Sequence, residues 1–352
     1  MLALVTLNEL VPARHPVRTV KKLADECLGQ LSSTFDEMYA GIGRPSIPPE
    51  RLLKAQLLMA LYSVRSERML CERIQYDMLF RWFLDMSMTE SVFDASSFSR
   101  NRDRLLEHEV AHLFLQAVVK RARREALMSS EHFSVDGTLI EAWASMKSFR
   151  PKDETKDDDD KGDSNGWADF KGEKRSNETH ESTTDPEAKL LRKSRGKEAK
   201  LCFAEHVLME NRNGLIVDLM LAPAVGVTEP EAALELLSRA LPTGRITVGA
   251  DKGYDTKDFV RQCKELNATA HVAQHMNARR SSAIDGRTTR HPGYEISQVV
   301  RRRIESIFGW KKTVGGCRKS RYRGVERTGF FATIAGAAYN LIRMARLIPT
   351  AI

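Results

Sequence analysis

Cysteine is scarce in this 352-residue sequence, and the few cysteines lie far apart. The sequence has no C-x-x-C pair, and the number of cysteines is odd; they are Cys27, Cys71, Cys202, Cys263 and Cys317. This pattern argues against a disulfide framework and a cysteine zinc site, and it indicates ordinary buried or free thiols. The nine histidines contain no H-E-x-x-H motif, so that type of zinc site is excluded.

Long apolar runs are also lacking. None approaches the roughly twenty residues that a helix needs to span a bilayer. At the N-terminus the basic residues follow the short apolar segment, which is the reverse of their order in a secretion signal. We therefore expect a cytoplasmic protein with no membrane partner.

The composition is that of a globular protein with an excess of positive charge. Hydrophobic residues make up 42% of the chain and charged residues 29%, and the length allows two or three domains. Lysine and arginine number 55 against 47 acids, which gives a net charge of +8. The surface must therefore be locally polarised, which favours a polyanionic partner, although composition alone does not separate nucleic acid from an anionic membrane surface.

Helical periodicity dominates the chain after an initial loop. Residues 1–48 end in GIGRPSIP, whose glycines and prolines stop any helix, so we assign them to an N-terminal arm. From Pro49 onward apolar residues recur at three- and four-residue spacing, and two more helical segments follow. Residues 49–128 are therefore predicted to form an all-helical domain.

The third helical segment, which begins near Ser96, carries basic residues in its first turns. They are Arg100, Arg102 and Arg104. Such a helix suits the backbone and grooves of a DNA duplex, as recognition helices do. The alternative is a solvated face balanced by nearby acids, and both interpretations stay open because no base-reading signature is present.

The period becomes strand-like near Glu131, within a second domain predicted over residues 129–328. HFSVDGTLIEAW predicts a strand with Asp136 opposite its apolar face. KLCFAEHVLME and GLIVDLMLAPA then flank an Asn-Gly turn, which predicts a hairpin. ITVGA is a near-continuous apolar strand that ends at Asp251.

A charged segment over residues 146–199 interrupts this pattern. It is rich in charges of both signs and poor in aliphatic side chains, which predicts a long mobile insertion. A flexible segment cannot hold a catalytic geometry, so we leave its run of aspartates out of the site. The chain closes with an apolar helix in residues 329–352.

Three acids come from three separate predicted elements. Asp136 lies on the first strand, Asp251 at the end of the fourth, and Glu305 on a later helix in RRRIESIFGWKK. On that helix Arg301, Glu305 and Lys312 share one face. Each acid has a structural alternative, namely a turn at Asp136, a helix cap at Asp251 and a surface ion pair at Glu305.

The order of the elements is that of a ribonuclease H-like fold. Three strands are followed by a helix, a strand, a helix, a strand and a helix. In that fold the first and fourth strands are adjacent, so Asp136 and Asp251 would meet and a later helix could bring in Glu305. We therefore predict an α/β protein with a ribonuclease H-like mixed sheet core and an all-helical N-terminal domain.

Three carboxylates of this kind suit hard divalent cations, which prefer oxygen ligands. Two Mg²⁺ ions about 4 Å apart can activate a water or a 3′-hydroxyl and stabilise the leaving oxygen of a phosphodiester. We predict Mg²⁺, with Mn²⁺ as a substitute, and the predicted catalytic metal ligands are Asp136, Asp251 and Glu305. The cations predicted to hold DNA phosphate beside them are Arg301, Arg302 and Lys312.

The chain resembles bacterial insertion-sequence transposases of the DDE superfamily, in the related families four and five, and family five more closely. IGRPSIPPERLLKAQLLMALYSVRSERMLCERIQYDMLFRWFL resembles their helical N-terminal domain. FSVDGTLIEAWAS, GADKGYD and RRRIESIFGWKKTVGG resemble the blocks around the first Asp, the second Asp and the Glu. These families space four residues as Y-x2-R-x3-E-x6-K. Arg301, Glu305 and Lys312 fit this spacing, whereas Gln298 stands at the Tyr position.

The resemblance implies binding to terminal inverted repeats, cleavage that frees 3′-hydroxyls, and strand transfer into target DNA. It also implies double-stranded DNA as the partner, assembly of two or more protomers on paired ends, a place on the bacterial nucleoid, and no small-molecule substrate. Two alternatives remain open. One is a catalytically silent DNA-binding repressor, and the other is a ribonuclease H-like nuclease that does not transpose DNA.

Overall fold

The computed structural model describes residues 5–38, 47–152, 175–192, 198–240, 244–276 and 281–348. Helices make up the first part of the chain. They are α1 Leu7–Leu10, α2 Val17–Leu28, α3 Ser32–Met38, α4 Pro49–Leu61, α5 Glu67–Tyr76, α6 Met78–Phe83, α7 Ala95–Glu107 and α8 Val110–Arg124, with a 3₁₀ helix at Gly29–Leu31. Three of these helices lie in the residues predicted to form an N-terminal arm, and α2 packs against α8.

Local signals start several of these helices. Pro49 is the first residue of α4, where its missing N–H costs nothing. The side chains of Ser66 and Asp94 accept backbone N–H hydrogen bonds at the starts of α5 and α7. The helix predicted from Ser96 is divided in two, because Glu109 adopts a left-handed φ of 49° between α7 and α8.

The second part of the chain contains a mixed sheet. Its strands are β1 His132–Glu141, β4 Lys189–Leu191, β5 Lys200–Glu210, β6 Ile216–Pro223, β7 Ile246–Ala250 and β8 Ala268–Val272, while β2 Phe149–Pro151 and β3 His180–Ser182 form a separate pair. The order across the main sheet is β6, β5, β1, β7, β8, with β4 beside β6 on the same edge of β5.

Strand directions complete the topology. β5 is antiparallel to both β1 and β6, and the turn between β5 and β6 contains Gly214 with a φ of 69°. β7 is parallel to both β1 and β8. The fourth long strand therefore lies directly beside the first, which is the ribonuclease H-like arrangement that the element order predicts.

The charged segment 146–199 is folded at its described ends. Phe149 of β2 and Ala188 are buried, and they pack in a small apolar cluster with Phe203 of β5. The prediction of a mobile loop is therefore wrong for residues 146–152 and 175–192, because apolar side chains in this segment find partners on the sheet. The remaining part of the prediction, over residues 153–174 and 193–197, lies outside the described residues.

Helices on the sheet and a long terminal helix complete the fold. They are α9 Glu229–Ala240, α10 Lys257–Glu265, α11 Gly286–Thr289, α12 Pro292–Val300, α13 Ile304–Thr313 and α14 Val325–Leu347, with 3₁₀ helices at Met146–Ser148, Lys252–Tyr254 and Arg301–Arg303. The buried helix α14 contacts α4, α8 and β6, and one hydrophobic core runs from the N-terminal helices into the sheet. Among the helices that the structure describes, none is both long enough and apolar enough to cross a membrane.

Candidate active site

Two of the predicted acids stand on neighbouring strands. Parallel pairing places Ser134 of β1 opposite Gly249 of β7. The same register, continued by two residues, places Asp136 opposite Asp251, which directly follows β7. Adjacent strands lie about 4.8 Å apart, so the two carboxylates extend from neighbouring backbones at one edge of the sheet. The structure thus brings the two predicted aspartates together.

The surroundings of Asp136 disfavour its ionised form. Burial raises the pKa of Asp136 to about 6, against the effect of the Gly137 N–H, which donates to its carboxylate at 2.8 Å. That value also includes the negative charges of Asp251 and Glu229, which raise the pKa, and the guanidinium of Arg301, which lowers it. Negative charge around Asp136 therefore exceeds the positive charge beside it.

Asp251 has a structural role as well as a place in the site. Its Oδ1 accepts the N–H of Gly253 at 2.6 Å and so caps the 3₁₀ helix Lys252–Tyr254. A helix cap is the structural alternative that the sequence allows for Asp251. Asp251 caps this helix and still lies beside Asp136. Tyr254 is buried, and burial followed by the three neighbouring carboxylates raises its pKa.

Glu305 lies on α13, which runs along the face of β1 that carries Asp136. Ile304 and Phe308 of α13 are buried. Lys312 donates from Nζ to Thr138 Oγ1 at 2.6 Å, and Thr138 shares a face of β1 with Asp136. Because Glu305 precedes Lys312 by two helical turns, both side chains lie on the same side of α13.

Glu305 does not contact the two aspartates. Glu305 is exposed, and within the described part of the chain its carboxylate makes no hydrogen bond or ion pair. A surface ion pair with Arg301 or Lys312 is therefore absent too. In the described ranges, no three residues among His, Cys, Asp and Glu are placed closely enough to share one metal ion.

Gln298, which stands where the related families have Tyr, fixes Arg301 to the sheet. Its Nε2 donates to the His271 carbonyl of β8 at 2.5 Å, and its Oε1 accepts from Arg301 Nε at 2.9 Å. Arg301 lies over β7, with its Cβ 3.4 Å from the position that a Cβ on Gly249 would take. Gln298 thus replaces the ring by a pair of hydrogen bonds that hold a cation beside Asp136.

Of the other arginines predicted to bind DNA, three are exposed and one is buried. Arg302, Arg100 and Arg104 are exposed. Arg102 is buried, pairs with Glu67 and with Asp103, and lies over the ring of Tyr322. Its guanidinium faces the protein interior, so it does not contact DNA in this arrangement, contrary to the prediction for α7.

Glu229 is a further residue of the site that the sequence pattern does not single out, because it is the first residue of α9 and acids are common in the first turn of a helix. Its charge raises the pKa of Asp136, and its own pKa is raised by partial burial and then by Asp251. The strand directions nevertheless indicate where Glu229 lies. Two successive antiparallel pairings make β6 run parallel to β1, so a residue soon after β6 lies at the same sheet edge as Asp136 and Asp251.

Comparisons with known proteins give two matches to family models. Residues 5–104 match a family described as "Transposase domain (DUF772)", and residues 178–341 match a family described as "Transposase DDE domain". The second region includes Glu229, Asp251 and Glu305, whereas Asp136 lies between the two matched regions. None of the curated protein sequences matches the chain.

Among solved structures, the similarities are to transposase complexes. A piggyBac transposase synaptic complex with hairpin DNA is 10% identical, with a TM-score of 0.41, over 94% of this chain and 75% of that one. The Mos1 strand transfer complex is 11% identical, with a TM-score of 0.21, over 86% and 79%. A mariner Mos1 paired end complex with Mg is 12% identical, with a TM-score of 0.21, over 84% and 88%. Scores this low carry no argument about this chain.

Proposed function

We propose that this chain is an insertion-sequence DDE transposase, an enzyme that moves DNA by phosphodiester hydrolysis and transesterification, with Asp136, Asp251 and Glu305 as its catalytic carboxylates. Its substrates are the terminal inverted repeats of its own element and a target DNA. The observation that supports this proposal is the parallel register of β1 and β7, with Ser134 opposite Gly249, which puts Asp136 opposite Asp251 when it is continued by two residues. The closer relation to family five stays a prediction.

The donor set of the site fits a hard divalent cation. The acids offer carboxylate oxygens, and Asp136 is surrounded by more negative than positive charge. Asp136 and Asp251 would hold Mg²⁺, or Mn²⁺ in its place, and Glu305 would join them from α13. When bound, such cations make a water or a 3′-hydroxyl a stronger nucleophile and stabilise the leaving oxygen.

The side chains around the acids bind and position the DNA. Arg301 precedes Glu305 in the 3₁₀ helix before α13, and Lys312 follows it on α13; Arg301 acts on Asp136, and Lys312 contacts Thr138 on the same face of β1. They hold phosphate without reading sequence, and Gln298 keeps Arg301 in place. The exposed arginines Arg302, Arg100 and Arg104 extend the basic surface, while Arg102 is not included because it is buried.

Assembly on DNA is part of the proposal. For this chain we propose that two or more protomers hold the two ends of the element. The 3₁₀ helix Arg301–Arg303 consists of three arginines. This concentration of positive charge suits contact with a polyanion.

A nicking assay tests the catalytic proposal. A supercoiled plasmid that carries the DNA flanking this gene is incubated with Mg²⁺ and the wild type, Asp136→Ala or Asp258→Ala. We expect nicking by the wild type and by Asp258→Ala, whose carboxylate binds Arg261 and Gln262 on the surface of α10. We expect at least a hundredfold loss for Asp136→Ala, because the metal ligand is removed.

The products distinguish the alternatives. Nicking by Asp136→Ala at the wild-type rate contradicts the catalytic assignment. Specific binding without nicking by the wild type favours the silent repressor. Cleaved ends that never become covalently joined to a target favour the non-transposing nuclease.

A further inference from the structure

Building on the proposed function, we propose that Glu229 is a fourth active-site carboxylate, which binds the divalent cation together with Asp136 and Asp251, and that His206 positions it. Glu305 is the acid that the sequence spacing selects. Glu229 is the acid that the fold places beside the two aspartates. The two glutamates approach the site from different helices, α13 and α9.

The Glu229 carboxylate lies between the backbones that carry the two aspartates. Its Oε1 is 3.0 Å from the position that a Cβ on Gly137 would take, and its Oε2 is 3.9 Å from the corresponding position on Gly253. Gly137 directly follows Asp136, and the N–H of Gly253 donates to Asp251, which caps the 3₁₀ helix Lys252–Tyr254. One carboxylate therefore reaches both sides of the site.

The backbone contacts of the aspartates explain why the carboxylates do not yet converge on one point. Asp136 accepts the N–H of Gly137 and Asp251 accepts the N–H of Gly253, so each carboxylate is turned toward the backbone of its own segment. Rotation about side-chain bonds redirects a carboxylate oxygen, and catalytic geometry commonly tightens only in the loaded complex. The arrangement is thus compatible with a shared cation.

A purely structural role for Glu229 explains less. An acid in the first turn of a helix interacts favourably with the helix dipole, and Glu229 is the first residue of α9. However, the capping of α9 is performed by Thr228 and Glu231, which exchange hydrogen bonds. A glutamate needed only for the dipole would extend into solvent, whereas the Glu229 carboxylate turns back onto β1, beside another acid.

His206 supplies an independent observation at the same place. It lies on β5 opposite Gly137, is 2% exposed, and neither ring nitrogen has a hydrogen-bond partner among the described residues. Its Nδ1 is 3.2 Å from the same Cβ position on Gly137 that Glu229 Oε1 approaches. A neutral imidazole carries one N–H donor, and donors of this kind orient the carboxylates that ligate metals.

Gly137 keeps this space open. Any side chain at residue 137 would meet both the Glu229 carboxylate and the His206 ring. With no Cβ there, a small rotation of either side chain brings the imidazole N–H to the carboxylate. His206 is therefore a positioning residue, which acts on the site through Glu229.

Direct measurement of Mn²⁺ binding tests the role of Glu229. Free Mn²⁺ is followed by electron paramagnetic resonance as the ion is titrated into the full chain. The variants are Glu229→Gln, Asp251→Asn and Glu235→Gln, the last being a control on α9 whose carboxylate pairs with Arg239 at the surface. We expect Glu229→Gln to weaken binding at least tenfold and Glu235→Gln to leave it unchanged.

The outcomes separate this proposal from the proposed function. Loss of binding in Asp251→Asn with wild-type binding in Glu229→Gln overturns the role of Glu229 alone. A wild type that binds no Mn²⁺ overturns both. The melting temperature gives a second readout, because Glu229→Gln removes repulsion with Asp251 and should melt at or above the wild-type temperature. A lower melting temperature together with unchanged Mn²⁺ affinity would show a structural role instead.

A double-mutant cycle tests His206. His206→Leu should weaken Mn²⁺ binding, His206→Gln should retain most of it because an N–H donor remains, and His206→Leu should add nothing in the Glu229→Gln background. Independent, additive losses would overturn the positioning role, because they would mean that His206 does not act through Glu229.

Discussion

At the scale of single residues, position decides what a charge does, and α7 shows this within one turn. Arg100 and Arg102 are two residues apart, so they lie about 200° apart around the helix. Arg100 is exposed, whereas Arg102 is buried against Glu67, Asp103 and the ring of Tyr322. The first is available to DNA phosphate, and the second joins α7 to α5 and to the segment before α14.

Alanine substitutions should separate these roles. Arg102→Ala takes the cation away from the largely enclosed Glu67 carboxylate, which keeps the Tyr322 hydroxyl as a donor, so we expect the free energy of unfolding to fall by about 3 kcal/mol in urea denaturation. Arg100→Ala should change it by less than about 0.5 kcal/mol. In DNA-binding titrations at several salt concentrations, Arg100→Ala should reduce the slope of log binding constant against log salt concentration by about 1. A fully stable Arg102→Ala that binds DNA more weakly than Arg100→Ala would place Arg102 on the DNA instead.

At the scale of elements, the junction of α12 with β8 positions the cations of the site. His271 of β8 shares a hydrogen bond of 2.8 Å with Ser297 of α12, and its carbonyl accepts from Gln298. The Tyr294 hydroxyl donates to the next carbonyl of β8, that of Val272, at 3.0 Å. These bonds hold α12 on the sheet, and α12 leads directly into Arg301.

This junction should make stability depend on pH. Burial first, and then the charges of His291 and His132, lower the pKa of His271 from 6.5 to about 4. The folded state therefore favours the neutral ring, and between pH 6.5 and 4 the unfolded chain takes up the proton more readily. The contribution of His271 is present above pH 6.5 and is lost as the pH falls toward 4. We expect a loss of about 1 to 2 kcal/mol, since partial hydration of the surroundings reduces the full effect of the shift.

Urea denaturation at a series of pH values between 7 and 4 measures this effect. His271→Phe should show a shallower fall in the free energy of unfolding than the wild type. His108→Asn, at the exposed end of α7, should follow the wild-type curve. An unchanged slope in His271→Phe would mean that the ring is not kept neutral by the fold.

At the scale of the whole molecule, α14 joins the helical part to the sheet. Its buried residues contact α4 and α8 on one side and β6 on the other. The Asn340 side chain accepts the N–H of Ile216 and donates to the Ile216 carbonyl, both at 2.8 Å. Both backbone polar groups of the first residue of β6 are therefore hydrogen-bonded. The two regions that match separate family models therefore share one core.

A shared core predicts one cooperative unfolding transition. Far-ultraviolet circular dichroism and tryptophan fluorescence should give coincident urea curves, since Trp82 lies in the helical part and Trp310 on α13. Leu341→Ala, in the buried middle of α14, should shift both curves together by about 2 to 5 kcal/mol. Leu113→Ala, at a partly exposed position of α8, should shift them much less. Two separated transitions would contradict a common core.

The amino-acid sequence by itself determined the element order and, through it, the meeting of the two aspartates. The apolar run ITVGA, the Asn-Gly turn and the alternation around Asp136 are local patterns, and local patterns suffice to specify strands and a hairpin. Once the strands are known, the ribonuclease H-like order places Asp136 beside Asp251.

Only the tertiary structure decided which other side chains join them. Arg102 turns inward, Phe149 packs on Phe203, and Glu229 reaches the site while Glu305 remains exposed. Each of these outcomes depends on a partner that is distant in sequence. Periodicity shows that a helix has two faces, but the elements that pack against it determine which face is buried and which side chains meet.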